Sequence, residues 1–183
     1  MANPLKACVF LDRDGVINEL LPGKYVKHWN EFRFREGVLT GIAKLSQRGY
    51  AIFIITNQQG IGKQLMTEIE LNQIHVKMRL LIEQAGGRLS GIYHCPHLQS
   101  DNCRCRKPGR GMIDEICKQH EGIIHVPWIL LGDSPSDLEL GNSICAQTFG
   151  MRHEHNAFDD WSNWNVECVD SFSTFVDKLM NNL

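Results

Sequence analysis

Two aspartates one residue apart, Asp12 and Asp14, close the stretch Val9-Phe10-Leu11-Asp12-Arg13-Asp14-Gly15. An apolar run ends there in acid, and a glycine follows at once. Two like charges held close need a counter-ion, and Mg²⁺ with its oxygen ligands suits them. A carboxylate is also a nucleophile toward phosphorus, able to form an aspartyl-phosphate. Alternation along an extended chain points Asp12 and Asp14 the same way and Arg13 elsewhere. Gly15 frees the backbone to turn and to offer N–H groups to an anion. A strand ending in a polar turn is the plain alternative, and Asp-x-Asp-Gly alone does not separate the two.

Three later stretches supply partners. Ala51-Ile52-Phe53-Ile54-Ile55 is apolar throughout and ends in Thr56-Asn57-Gln58-Gln59-Gly60. Thr56 can hydrogen-bond a phosphate oxygen, although a Thr–Asn helix cap accounts for it equally simply. Arg106-Lys107-Pro108 puts a point charge suited to a phosphoryl group beside a guanidinium that can grip a second anion. A solvated basic pair is the ordinary alternative. The apolar run 126–131 ends in Gly132-Asp133-Ser134-Pro135-Ser136-Asp137. Asp133 can complete a metal site. Ser134, Pro135 and Asp137 fit the N-cap, N1 and N3 positions of a helix, so capping is a sufficient reading of Asp137.

A second set of ligands lies between these motifs. Cys95, His97, Cys103 and Cys105 fall within one short polar stretch and make a complete S₃N set, which is Zn²⁺ chemistry. Four protein ligands would close the site and make it structural. A disulfide or unpaired thiols are the alternatives, and zinc is favoured over both. His94 adjoins the set without a place in it. Cys8, Cys117, Cys145 and Cys168 read as core fillers. Zinc would fix where Arg106 and Lys107 point.

The elements that must position these groups alternate in kind. Apolar runs at 7–12, 51–55, 91–94, 126–131 and 146–150 read as strands. Helical spacing or caps mark 37–48, the stretch from Thr67 to Gly86, 112–119 and 170–181. Thr67 with Glu70 matches a capping box. In that helix Ile69, Ile74, Met78, Leu81 and Ile82 are expected to face the sheet, with His75 at its edge or in solvent. Residues 19–35 read as a flap or an aromatic-pinned loop over the first strand, and 151–168 as a polar loop with Trp161 and Trp164. The pattern predicts an α/β fold with the acidic strand ends at the mouth of one site.

Length and composition set the bounds. At 183 residues a single domain, 1–183, is expected. The formal net charge of -2 gives no sign of a nucleic-acid or anionic-membrane partner. No apolar run approaches membrane-spanning length, and no secretory h-region precedes the first strand. Seven cysteines, an odd number, suit a reducing cytoplasm.

Asp12-x-Asp14, Thr56, Lys107 and Gly132-Asp133, each at its strand end or loop and in this order, resemble the four motifs of the haloacid dehalogenase superfamily of phosphotransferases. The match spans roughly residues 7–150. The wording Phe10-Leu11-Asp12-Arg13-Asp14-Gly15-Val16-Ile17-Asn18, Thr56-Asn57-Gln58, Cys95-Pro96-His97 and Cys105-Arg106-Lys107-Pro108 resembles a narrower branch. That branch contains heptose bisphosphate phosphatases and histidinol-phosphate phosphatases. The resemblance implies a Rossmann-like parallel sheet flanked by helices, no large cap domain, Mg²⁺ in the site and Zn²⁺ in the loop. It implies Asp12 as nucleophile and Asp14 as acid and base. Mg²⁺ would sit on Asp12, Asp133 and the Asp14 carbonyl, with Thr56 and Lys107 on the phosphoryl oxygens. Arg106 would recognise the rest of a small phosphorylated sugar. Leu20, Leu21, Pro22, Gly23, Asn57, Gln58 and Gln59 would line the substrate side, with Arg13 and Ser134 beside them. Ser134 departs from several heptose phosphatases, which carry a Lys there. The chain is expected to act as a monomer. Histidinol phosphate as substrate, or a non-enzymatic metal-stabilised module, are the rival readings.

Overall fold

The apolar runs do become strands, because a sheet covered on both faces needs side chains that bury on both faces. The computed structural model describes residues 4–156, 161, 164 and 166–182. Among them the sheet has six parallel strands, ordered β3-β2-β1-β4-β5-β6. These are β1 (Ala7–Leu11), β2 (Tyr50–Asn57), β3 (Gly91–Cys95), β4 (Trp128–Gly132), β5 (Gln147–Met151) and β6 (Glu167–Val169). The helices are α1 (Val38–Gln47), α2 (Glu68–Gln84), α3 (Gly111–Gln119), α4 (Pro135–Ser143) and α5 (Phe172–Asn182).

Alternation along β1 divides the core. Ala7, Val9 and Leu11 pack with α1, α2 and α5, while Cys8 and Phe10 pack with α3 and α4. Phe10 stacks on Phe53 at 5.9 Å and meets Trp128 edge-on at 5.7 Å. Truncating either phenylalanine to Ala would cost about 3–5 kcal/mol. The register aligns Leu11 with Ile54 and Leu131. Asp12, Thr56 and Asp133 therefore emerge at nearly one level, at the carboxyl edge where the order reverses between β1 and β4.

Thr67 accepts from the Glu70 N–H, and the Glu70 carboxylate accepts from the Thr67 N–H, the capping box its spacing predicts. The buried stripe of α2 differs from the expected one. It runs Leu71, Ile74, His75, Met78 and Ile82, while Ile69 is 71% exposed and Leu81 only half-buried. Ile69 lies two residues from Leu71, on the opposite side of the helix. His75 takes a core position instead of the rim. Cys8 is buried as expected, but Cys117 is half-buried and Cys145 and Cys168 are exposed. Cys145 sits in a left-handed turn after α4, and Cys168 lies on edge strand β6.

Strand β6 begins within the expected polar loop, at Glu167, and runs one residue past its end. It has three residues, two of them exposed, and so lacks an apolar run. Trp161 is buried, with the Arg152 guanidinium 3.9 Å over its ring. The loop's positions 157–160, 162, 163 and 165 lie outside the described residues. The 19–35 segment is tied back by Glu19 N–H to Arg33 O and Arg35 N–H to Ile17 O, at 2.8 and 3.0 Å. Trp29 stacks on Phe32, which meets Phe34 edge-on at 5.0 Å. No helix among the described residues is long and apolar enough to cross a membrane.

Candidate active site

Asp12 and Asp14 leave the end of β1 in different environments. The strand stops at Leu11, so the alternation expected for 12–14 does not hold, and the Arg13 and Asp14 side chains meet. Arg13 is fully buried; its Nη2 donates to Asp14 Oδ1 and Oδ2 at 2.8 and 2.7 Å. Asn18 and Gln58 add donors at 2.9 and 2.8 Å. Burial works against the Asp14 charge, but Arg13, Asn18 and Gln58 outweigh it and hold the carboxyl below its ordinary range. Behind Arg13, His75 Nε2 lies 3.4 Å from Nη1. Burial and the Arg13 charge push that imidazole down to about 3.

Asp12 faces Lys107. The buried Nζ donates to Asp12 Oδ1 at 2.7 Å, to Asp137 Oδ1 at 2.5 Å and to Ile55 O at 3.0 Å. The Lys107 backbone is fastened too: Asn57 Oδ1 accepts from its N–H at 2.9 Å, and Asn57 Nδ2 donates to its carbonyl at 3.2 Å. Burial alone would lower the Lys107 ammonium, but the Asp12 and Asp137 charges push it above its ordinary value. Asp137 also caps α4, accepting from the Ser134 N–H at 3.2 Å and the Ser134 hydroxyl at 2.5 Å.

Oxygens of Asp12, Asp133 and Asp137 lie within 4.8 Å of one another. Burial raises Asp12 well above the usual carboxylate range against the pull of Lys107, with repulsion from Asp137 and Asp133 adding to it. Burial and Asp137 push Asp133 up to about 7. Three buried carboxylates around one ammonium leave excess negative charge, and every donor is oxygen. This donor set fits a hard divalent cation such as Mg²⁺, which Asp12 and Asp133 would hold. The glycine after Asp14 has φ +88°, and a Cβ there would collide with the Asp133 carboxylate.

The cleft above this centre has a volume of about 400 Å³. Asp12, Asp14, Thr56, Lys107 and Asp133 all line it, as do Leu20, Asn57, Arg106 and Ser134. Thr56 Oγ1 accepts from Gln58 Nε2 at 2.8 Å, so its own hydroxyl proton is left for an anion. Arg106 Nη1 is buried with no hydrogen-bond partner among the described residues. Arg13 and Gln58 stand behind Asp14 rather than in the cleft, and Leu21, Pro22, Gly23 and Gln59 do not line it. Pro135, Ser136, His153, His155 and Asn156 complete the wall. A larger depression of about 750 Å³ adjoins it, sharing Leu20, His153 and His155.

Asp137 was visible as a cap, but its ion pair with Lys107, thirty positions away, leaves no mark in local spacing. His153 and Asn156 were missed altogether. Their one signal is position, just past the carboxyl end of β5.

Cys95, His97, Cys103 and Cys105 also converge. Their Sγ atoms lie 3.2–3.5 Å apart, and His97 Nδ1 is 3.2 Å from Cys105 Sγ. All seven cysteines are free of disulfides. Thiols this close, yet beyond the roughly 2 Å of a disulfide, fit a tetrahedral cation. His94 turns away, to Glu68 at 2.9 Å.

The parallel sheet and the order of its acidic ends define a phosphatase of the haloacid dehalogenase type. The family model for polynucleotide kinase 3 phosphatase matches residues 10–137. A D-glycero-beta-D-manno-heptose-1,7-bisphosphate 7-phosphatase of Neisseria meningitidis is 44% identical over 136 residues, 74% of this chain and 72% of that protein. The D-glycero-alpha-D-manno counterpart of Mycobacterium bovis is 37% identical over 139 residues, 76% and 73% of the two chains. The crystal structure of D,D-heptose 1,7-bisphosphate phosphatase from B. bronchiseptica, complexed with magnesium and phosphate, superposes with a TM-score of 0.87. That pair is 28% identical and covers 97% of this chain and 99% of the other. The chain belongs to the haloacid dehalogenase superfamily of phosphatases and, within it, to the family of the heptose-1,7-bisphosphate 7-phosphatases.

Proposed function

We propose that this protein removes the 7-phosphate from D-glycero-D-manno-heptose 1,7-bisphosphate. The observation that carries the reading is the buried Lys107, fixed between Asp12 and Asp137 with Asp133 beside them, under a cleft that Thr56 and Arg106 also reach. The names of relatives at 35–44% identity support the substrate.

Asp12 attacks phosphorus, and the bond from phosphorus to the sugar oxygen breaks. Asp14 gives that oxygen its proton. Asp14 next takes a proton from water, whose oxygen displaces Asp12 and frees phosphate. Arg13 holds Asp14 in its base form before substrate arrives. The first proton therefore enters with the substrate, whose phosphate ionises for the second time near neutrality. Lys107 and Thr56 meet the charge that develops on the phosphoryl oxygens. Mg²⁺ would be held by Asp12, Asp133 and the Asp14 carbonyl and would supply the charge that lets an anionic substrate approach a carboxylate. Arg106 takes the second phosphate. Cys95, His97, Cys103 and Cys105 would hold Zn²⁺, which would stiffen the loop that carries Arg106 and Lys107. Seven unpaired thiols suit a cytoplasmic enzyme.

Phosphate release tests this, with both heptose bisphosphate anomers, histidinol phosphate and a 3′-phosphorylated oligonucleotide as substrates. The heptose bisphosphate is expected to show the highest kcat/KM. Equal or better turnover of histidinol phosphate or the oligonucleotide refutes the substrate and leaves the phosphatase chemistry standing.

A further inference from the structure

The turn after β5 is built against Asp133. Asn156, 5% exposed, donates from Nδ2 to the carbonyls of Asp133 and Met151 at 2.8 and 2.9 Å. Its Oδ1 accepts from the His153 N–H at 2.9 Å. One amide thus ties the turn both to the end of β5 and to the backbone of the acid that follows β4. The tie presents the His153 ring to Asp133, with Nε2 2.9 Å from Oδ2 and both side chains nearly buried.

The other ring nitrogen identifies the tautomer. The His155 N–H donates to His153 Nδ1 at 3.2 Å, so Nδ1 is the acceptor and Nε2 carries the proton. Nε2 then donates to Asp133 Oδ2. Gly15 makes room for this pair, because a Cβ there would strike the carboxylate and crowd His153 Nε2.

Asp133 shares its surroundings with Asp12 and Asp137, and three carboxylates this close repel one another. The torsion at the end of an Asp side chain is soft, so an untethered carboxylate would rotate away from its neighbours. A donor fixed on one oxygen prevents that and leaves the second oxygen to a cation. Outer partners of this kind orient metal ligands in many sites. The geometry points to His153 as a positioning residue for the cation: its Nε2–H fixes Asp133 Oδ2 so that the other oxygen meets Mg²⁺, with Asn156 holding the turn in place. This rests on the reading of Asp133 as a cation ligand.

Calorimetric titration of Mg²⁺ into the full chain reads the effect without turnover. His153→Leu is expected to weaken Mg²⁺ binding by about tenfold or more. His153→Gln, whose amide nitrogen reaches about as far as Nε2, is expected to recover most of that loss. His153→Asn, one bond shorter, is expected to bind as weakly as the Leu variant. The Gln–Asn contrast decides the matter even where the Leu variant fails to fold, since both amides are polar. Equal affinities in the Gln and Asn variants, or an unchanged affinity in a folded Leu variant, would overturn the positioning role. Asp133→Asn separates the two levels. If it binds Mg²⁺ as the unmodified protein does, the reading of Asp133 fails. If it loses Mg²⁺ while the His153 variants keep theirs, only the role of His153 fails.

Discussion

Two clusters of side chains that could hold a metal ion approach each other at Cys105 and Lys107, and they are built in opposite ways. Asp12 meets Asp133 and Asp137 from a distant part of the chain, because the apolar sheet brings the ends of β1 and β4 to one level and α4 begins directly after β4. All three acids are buried, and Lys107 already answers part of their charge. Cys95 ends β3 and is buried, and His97, Cys103 and Cys105 follow it within one stretch of loop, with His97 exposed. Pro96 and Leu98 are the only aliphatic residues between Cys95 and Cys105; the thiols lie against one another and His97, and Cys105 also packs on the α3 side of the core. The first cluster is held by the fold. The second must hold the loop itself. Breaking the first should remove chemistry and spare structure, and breaking the second should do the reverse first.

The largest expected effect is at Asp12. Asp12→Asn keeps the shape but cannot attack phosphorus, so phosphate release should fall by on the order of a thousandfold or more. Its melting temperature should stay near that of the unmodified protein, because one of three mutually repelling carboxylates is neutralised while Lys107 keeps Asp137. Near-normal turnover in this variant would remove Asp12 as nucleophile.

Next comes the loop. Elemental analysis of protein purified without chelator should find one zinc per chain. Cys105→Ser should lose it and speed hydrogen exchange across residues 95–108. Activity should drop about ten- to a hundredfold through the loosened Lys107, and extra Mg²⁺ should not restore it. Zinc-free protein with a protected loop would erase the contrast between the clusters.

That contrast also separates what could be read in the sequence from what could not. The convergence of Cys95, His97, Cys103 and Cys105 was legible because their spacing is local, and so was the Thr67–Glu70 box. The acidic strand ends were legible because each apolar run stops abruptly in polar side chains. Strand β6 was not, since a three-residue edge strand with exposed side chains carries no pattern. Ile69 misled because it continues an apolar series out of phase with the buried stripe. Contacts made across the fold left no trace: His75 behind Arg13, Lys107 on Asp137, and His153 on Asp133. Each joins charged or polar residues whose individual positions have ordinary explanations.

His75 offers a smaller test of how the first cluster is supported. In the fold its pKa is lowered from 6.5 to about 3 by burial first and by the Arg13 charge second. Above pH 6.5 neither folded nor unfolded chain protonates it, and it costs nothing. As pH falls from 6.5 toward 3 the unfolded chain takes up the proton and the folded chain does not. Stability is therefore lost at up to about 1.4 kcal/mol per pH unit from this group. Between pH 7.5 and 5.5, urea midpoints of the unmodified protein should fall further than those of His75→Gln. Parallel falls would show that His75 protonates freely in the fold, and that the wall behind Asp14 is wetter than its burial indicates.

Arg106 stands where the two regions meet, directly after Cys105 and in the wall of the cleft. Its buried Nη1 has no hydrogen-bond partner among the described residues, which is costly, and an anion beside it would relieve that cost. A heptose bisphosphate brings such an anion as its second phosphate. Histidinol phosphate brings an ammonium, which Arg106 repels. Arg106→Ala should therefore lower kcat/KM for the bisphosphate by about tenfold, the worth of one charge-assisted contact, and change histidinol phosphate little. Arg106→Lys keeps the charge without the planar fork and should recover only part of the loss. The ratio between the two substrates is the informative quantity. If it narrows, the loop cluster places a recognition group and the strand-end cluster runs the reaction. If both substrates lose equally, Arg106 acts by seating Lys107, and the two regions are one machine joined at that residue.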